Sequence, residues 1–175
     1  MRLFVGIAIA PEVAAAIAAF VDRLRGRVEA RWSAHDPHVT TKFIGDWPDA
    51  RVGEIEAALA PIAHAPFDVA VRGLGFFPSA RAPRIFWAGV DAPELYALAA
   101  DTERALAPLG IAPETRAFTP HVTLARLGRR TSASAFATLD LATTFGRFRA
   151  EEVALYVSER GYRVLRAFPL RASPA

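Results

Sequence analysis

Two tripeptides in the sequence carry the same polar pair at the same spacing. They are His38-Val39-Thr40 and His121-Val122-Thr123, each preceded by proline (Pro37, Pro120). On a β-strand, alternate side chains share a face, so each imidazole projects together with its hydroxyl while the valine between them points the other way. Two such strands related by a pseudo-twofold axis would gather two groups that titrate near neutrality and two neutral donors around one cleft. With basic side chains beside them, that is the outline of a site for a phosphate ester. Lys42 shares the parity of His38 and Thr40 and is expected in the same cleft, a surface-snorkelling lysine being the alternative. A lone histidine in a strand is most simply structural, but the same pair at two related positions calls for a shared task.

The strands that hold these residues belong to an internal repeat. Phe4 to Glu12 (FVGIAIAPE) aligns with Phe86 to Glu94 (FWAGVDAPE) at an offset of 82, and the two histidines follow at an offset of 83. Each half therefore reads strand, Ala-Pro-Glu helix start, helix, connection and Pro-His-Val-Thr. Proline at the first helical position and glutamate in the first turn are the start signals in both copies. Strands are predicted at Arg2 to Ala10, His38 to Ile44, Phe67 to Leu74, Ile85 to Val90, His121 to Leu127, Phe145 to Arg149, Glu152 to Ser158 and Arg163 to Leu170. Helices are predicted at Pro11 to Val28, Ala50 to Ala63, Pro93 to Leu109 and Ser132 to Leu139. Helices mixed with strands, without regular βαβ alternation, point to an α+β class. The expected architecture is a duplicated two-lobed fold, with antiparallel sheets facing a central cleft and helices on the outer faces.

Composition narrows the chemistry. The chain has 175 residues, 53% hydrophobic and 22% charged, enough apolar material for a packed core. It contains no cysteine, which removes thiol nucleophiles, Cys-ligated zinc and iron–sulfur clusters and accords with a reducing, cytoplasmic setting. Net charge is +3, and Lys42 is the only lysine among 21 basic residues. The resulting arginine-rich surface suits an anionic partner, since guanidinium groups bind phosphate bidentately. Leu3 to Val21 is nearly all apolar, yet Pro11 and Glu12 interrupt it, so a strand followed by an amphipathic helix is expected rather than a membrane span. There is no Walker A loop, no complete dinucleotide loop and no nucleophile elbow, so no nucleotide cofactor is implied. His35 and His38 form a His-x-x-His pair without a third donor at useful spacing, and no metal is expected. His64, at a helix end, reads as a cation on the helix dipole.

The stretches His38-Val39-Thr40-Thr41-Lys42-Phe43-Ile44-Gly45 and Thr119-Pro120-His121-Val122-Thr123-Leu124-Ala125-Arg126-Leu127 resemble the two HxTx motifs of the 2H phosphoesterases. Among these, the chain is most like the bacterial and archaeal RNA 2',3'-cyclic phosphodiesterases once named 2'-5' RNA ligases. The resemblance extends over Arg2 to Ile7, Leu74 to Pro78, Arg84 to Trp87 and Tyr162 to Leu170. It implies one domain over residues 1–175, with motifs at 38–41 and 121–124, acting without metal or cofactor on RNA ends or nucleotides that carry a 2',3'-cyclic phosphate. A monomer is expected. By the same resemblance His121 is the proton acceptor from water and His38 the proton donor to the leaving ribose oxygen, giving a 2'-phosphate. Thr40 and Thr123 would bind the non-bridging oxygens, and the reverse direction is 2'-5' ligation.

By the same resemblance, many members of the family carry an arginine at the position of Arg126 and use it on phosphate. Here it lies five past His121, the wrong parity for the cleft unless a bulge turns it, and a solvent-facing arginine is the alternative. Arg81 and Arg84, with Phe76 and Phe77, would clamp an RNA end or else form a core aromatic pair beside a surface loop. Two other readings remain open from the residues alone. One is a non-catalytic module that binds RNA ends or nucleotides on the same fold, and the other is a metallohydrolase using His35, His38 and His121.

Overall fold

The computed structural model describes residues 1–33, 36–129, 131, 133–159 and 161–172. In chain order the elements are β1 (Arg2–Ala8), α1 (Pro11–Leu24), β2 (Ala30–Trp32), β3 (His38–Asp46), α2 (Val52–Leu59), β4 (Phe67–Phe77), β5 (Ile85–Asp91), α3 (Glu94–Leu106), β6 (His121–Leu127), β7 (Thr144–Ala150), β8 (Glu152–Ser158) and β9 (Tyr162–Pro169). Short 3-10 turns at Asp49–Arg51, Ala107–Leu109 and Ala133–Phe136 stand where longer helices were expected.

Helix α1 shows how local sequence sets these limits. It opens on Pro11 with Glu12 in its first turn, and it buries Val13, Ile17, Phe20, Val21 and Leu24 along one face. Each such side chain contributes about 1.5 to 3 kcal/mol when buried. It stops at Leu24, four residues short of expectation, because Gly26 turns the chain at φ 82. Val28, Ala30 and Trp32 then alternate with exposed Glu29 and Arg31, the short period-two signature of β2 that the helical reading of this region concealed.

The strands form one antiparallel sheet in the order β7-β4-β5-β6-β3-β1-β8-β9, with β2 also paired to β6. The two expected sheets are thus one, made of two four-stranded halves, β9-β8-β1-β3 and β6-β5-β4-β7, joined where Val39 of β3 pairs with Val122 of β6. The helices are exchanged between the halves. α1 follows β1 but lies on β7, with Phe20 edge-on to Phe145 at 5.2 Å and Val13 against Gly146, where an added Cβ would come within 3.0 Å. α3 follows β5 but covers β3. The main core lies between helices and sheet, and a small cluster of Phe4, Ala154 and Tyr156 with Tyr162 packs on the opposite face. No helix among the described residues is long and apolar enough to cross a membrane.

The structure corrects the expected place of Lys42. Gly6 pairs with Thr40 and Val5 with Lys42, so Thr41 is an extra residue in β3, a bulge whose hydroxyl donates to the Val5 carbonyl at 3.1 Å. A bulge reverses the parity of the residues beyond it. Lys42 consequently points to the helix side, 4% exposed. Its Nζ lies 2.7 Å from Glu103 Oε1 of α3 and 2.7 Å from the Ala112 carbonyl, and Phe43 takes the cleft position instead. Lys42 therefore holds α3 onto the sheet and does not serve as a phosphate ligand. Lys42→Met, which takes the ammonium from Glu103 and leaves the Ala112 carbonyl without its donor, should lower the unfolding free energy in urea by about 2 to 3 kcal/mol. A loss below about 0.5 kcal/mol would place the pair among inconsequential surface bridges.

Candidate active site

Val39 and Val122 are fully buried, so the pleat turns their neighbours to the other face, where His38 and Thr40 stand beside His121 and Thr123. Antiparallel pairing at Val39 and Val122 puts Thr123 across from His38 and Thr40 across from His121. The two imidazoles then occupy one diagonal of a four-residue square and the hydroxyls the other, with diagonal neighbours about 7 to 8 Å apart. A cavity of about 360 Å³ opens over this square, lined by His38, Thr40, Thr123, Arg126, Arg2, Arg31, Asp36, Phe43, Tyr162 and others. His121 is not part of that lining. It stands at the margin, two residues before Thr123 on the same face, close enough for its charge to act on His38.

Each imidazole is fixed in the same way. His38 Nδ1 lies 2.8 Å from the Asp36 carbonyl and His121 Nδ1 lies 2.7 Å from the Thr119 carbonyl. A carbonyl only accepts, so Nδ1 carries the proton in both rings and Nε2 is left with the lone pair when the ring is neutral. The intervening prolines set this geometry by holding the preceding residue extended, and their own carbonyls accept from Ile9 N–H and Val90 N–H, both at 3.2 Å. Aromatic rings wall each imidazole. His38 sits 4.5 Å from Tyr162 and 4.7 Å from Phe4, and His121 5.0 Å edge-on to Phe77.

Burial pushes both imidazoles below the ordinary histidine value. For His38 the carbonyl and charge of Asp36 oppose that shift, while His121 and Arg126 add to it. For His121 the Thr119 carbonyl opposes it and Arg126 adds to it. Tyr156, stacked 5.9 Å from His38, is pushed up to about 12 by burial and by the charges of Glu152 and Asp36, so its phenol stays neutral.

Arg126 reaches the cavity through a second bulge. Trp87 pairs with Thr123 and Phe86 with Ala125, so Leu124 is an extra residue in β6, at the position equivalent to Thr41. Arg126 and Phe43 are thereby equivalent positions of the two halves, and both line the cavity. Sequence reasoning missed Arg2 and Arg31. Arg2, whose guanidinium lies 5.0 Å over the Phe43 ring, is read in the sequence as the first residue of a strand with no role at the site, and Arg31 belongs to the missed β2.

Other expected participants lie elsewhere. Phe77 packs on His121, but Phe76 is stacked on Phe86 at 5.1 Å in the core. Among the described residues the Arg84 guanidinium donates to the adjacent Pro83 carbonyl, and neither Arg81 nor Arg84 lines the histidine cavity. His64 lies beyond the end of α2, and its Nε2 meets Asp101 Oδ2 of α3 at 2.6 Å, so its partner is a carboxylate and not a helix dipole. His35 falls outside the described residues. Among the described residues no group of three or more His, Cys, Asp or Glu side chains could hold a metal ion.

A family model described as the 2'-5' RNA ligase superfamily matches residues 13–162. A curated relative from Geobacillus stearothermophilus, named RNA 2',3'-cyclic phosphodiesterase, is 33% identical over 98% of this chain and 58% of its own length. One of the same name from Aeropyrum pernix is 42% identical over 51% of this chain and 52% of its own. The matches thus span little more than half the length of these first relatives. Among solved structures, TT0787 of Thermus thermophilus superposes with a TM-score of 0.83 at 29% identity, covering 99% of this chain and 100% of that one. LigT of E. coli, crystallised with 3'-AMP, shares the fold at a TM-score of 0.79 and 23% identity over 97% of both chains.

A histidine whose folded value is lowered resists charging, so its contribution to stability is whole above about pH 6.5, the unfolded value, and is lost as pH falls through the folded value. NMR titration should find His38 and His121 both with midpoints below about 6.5 and with the Nδ1–H tautomer when neutral. Midpoints above about 7, or an Nε2–H tautomer in either ring, would contradict the site as described.

Proposed function

Because the chain belongs to the 2'-5' RNA ligase superfamily, we propose that it is a hydrolase that opens terminal 2',3'-cyclic phosphates of RNA to 2'-phosphates by acid–base catalysis from its two histidines. The observation that carries this reading is the pair of imidazoles on opposite corners of one square, each with Nδ1 tied to the carbonyl two residues back. That arrangement frees two Nε2 atoms, one for each end of a displacement. In-line attack needs the base on one side of phosphorus and the acid on the other. Relatives named RNA 2',3'-cyclic phosphodiesterase support the same substrate class.

In the proposed step the neutral His121 Nε2 takes a proton from water as the water oxygen bonds to phosphorus. The bond from phosphorus to the ribose O3' breaks, and His38 Nε2–H passes its proton to that oxygen. Thr40 and Thr123 donate hydrogen bonds to the non-bridging oxygens, and Arg126 offsets their charge. The division of roles draws on the Asp36 charge, which supports the imidazolium form of His38 and has no counterpart at His121, while burial and Arg126 oppose charge on both rings. With a ribose 5'-hydroxyl in place of water, the same step yields a 2'-5' linkage. A non-catalytic end-binding module gives no reason for both rings to be locked in one tautomer. The lack of cysteine suits a cytoplasmic enzyme, and every residue given a role in this step belongs to one chain, which suits a monomer.

Incubation with a short RNA ending in 2',3'-cyclic phosphate should give the 2'-phosphate, and His38→Ala or His121→Ala should lower kcat/KM by about 10² to 10⁴ with the fold retained. Thr40→Ala and Thr123→Ala should cost less, each removing one donor of several. A 3'-phosphate product, or near-normal turnover by His121→Ala, would overturn the assignment.

The pH profile of kcat/KM should be bell-shaped, its acid limb set by charging of the base and its alkaline limb by loss of the acid's proton. Because burial lowers both imidazoles, its maximum should fall on the acid side of neutrality and be indifferent to chelators. A rate that climbs steadily to about pH 10 would point to hydroxide attack instead.

A further inference from the structure

A second cavity, of about 750 Å³, adjoins the histidine cavity, and Arg31 and Arg126 line both. These two arginines are direct cross-strand partners between β2 and β6. Like charges directly opposite on a ladder are destabilising, and neither guanidinium has a carboxylate partner among the described residues. Farther along, Arg27 and Arg129 line the second cavity but not the first, and Glu29 is the only acidic side chain among the described residues that line it. Both are exposed, and neither is in an ion pair among the described residues. Val28, Ala30 and Leu127 supply an apolar floor. Four guanidinium groups and one carboxylate, in a trough that adjoins the cavity lined by His38, suit a ligand with repeated negative charges and flat apolar groups between them.

We propose that this trough carries the RNA strand away from its cyclic end. The internucleotide phosphate nearest the terminal nucleotide would sit at Arg31, and the next within reach of Arg27 and Arg129. The preferred substrate is then an oligonucleotide and not a free nucleoside cyclic phosphate. The inference rests on the reading of the histidine cavity as the seat of the cyclic phosphate, with Arg126 on the boundary between the two.

The test compares kcat/KM for a nucleoside 2',3'-cyclic phosphate and for a trinucleotide with the same end, in the wild type and in an Arg27→Gln, Arg129→Gln double variant. The wild type should prefer the trinucleotide by at least about tenfold, and its log–log salt slope should be steeper by about 0.7 per added phosphate contact. In the double variant the preference should shrink to about twofold while the mononucleotide is turned over as before, because it reaches only the first cavity. Equal use of both substrates by the wild type, or a double variant that slows both alike, would overturn the inference. If neither substrate is hydrolysed, the hydrolytic reading fails separately. Trinucleotide binding by fluorescence anisotropy then decides the trough: weakened binding by the double variant supports it and unchanged binding refutes it.

Discussion

The antiparallel pairing of β3 with β6 at Val39 and Val122 is the constraint on which the site depends. Both valines are fully buried, so the register cannot slip by one residue without bringing polar side chains into the core and apolar ones out of it. With that register set, His38 must lie across from Thr123 and His121 across from Thr40. Because the strands run in opposite directions, identical tripeptides place unlike groups face to face and like groups on diagonals. A parallel arrangement of the same tripeptides would set imidazole against imidazole on one side. The two-sided placement that displacement at phosphorus needs is thus a product of strand direction.

The paired bulges at Thr41 and Leu124 are the second determinant. Each resets the parity of its strand just past the histidine and threonine, so the third cleft position of each half falls five residues after its histidine. In one half that position is Phe43 and in the other Arg126, which is how a symmetric frame acquires an asymmetric charge. The residue each bulge turns inward differs too. It is Ala125 in the core of one half and Lys42 in the other, where the ammonium meets Glu103 and ties α3 to the sheet. The lone lysine of the chain is thus structural, and the guanidinium groups are left to face the cavity.

Much of this was legible in the sequence. The two Pro-His-Val-Thr stretches, the start of α1 at Pro11, that of α3 one residue past Pro93, and the boundaries of β6 and β8 follow from short-range rules, and period-two alternation put each histidine and threonine on one face. What escaped were effects of pairing. A bulge depends on the partner strand, so simple alternation misplaced Lys42 and left Arg126 undecided. The repeat itself reads one residue differently in space, since Gly6 and Trp87 both lie across from the threonines, an offset of 81 where the best sequence match is 82. Exchange of the helices between halves is likewise a tertiary matter, because an amphipathic face specifies that something covers it but not which strand.

Burial lowers both imidazoles and Arg126 adds to the shift in each, so in the free protein they lean towards the neutral form, and a bound phosphate anion would restore charge to the acid. The central claim is that acid and base stand on opposite sides of one phosphorus. It is tested most directly by the stereochemical course of hydrolysis of a 2',3'-cyclic phosphorothioate of known configuration in ¹⁸O-labelled water. A single in-line displacement between His121 and His38 predicts inversion at phosphorus, and retention of configuration would contradict it.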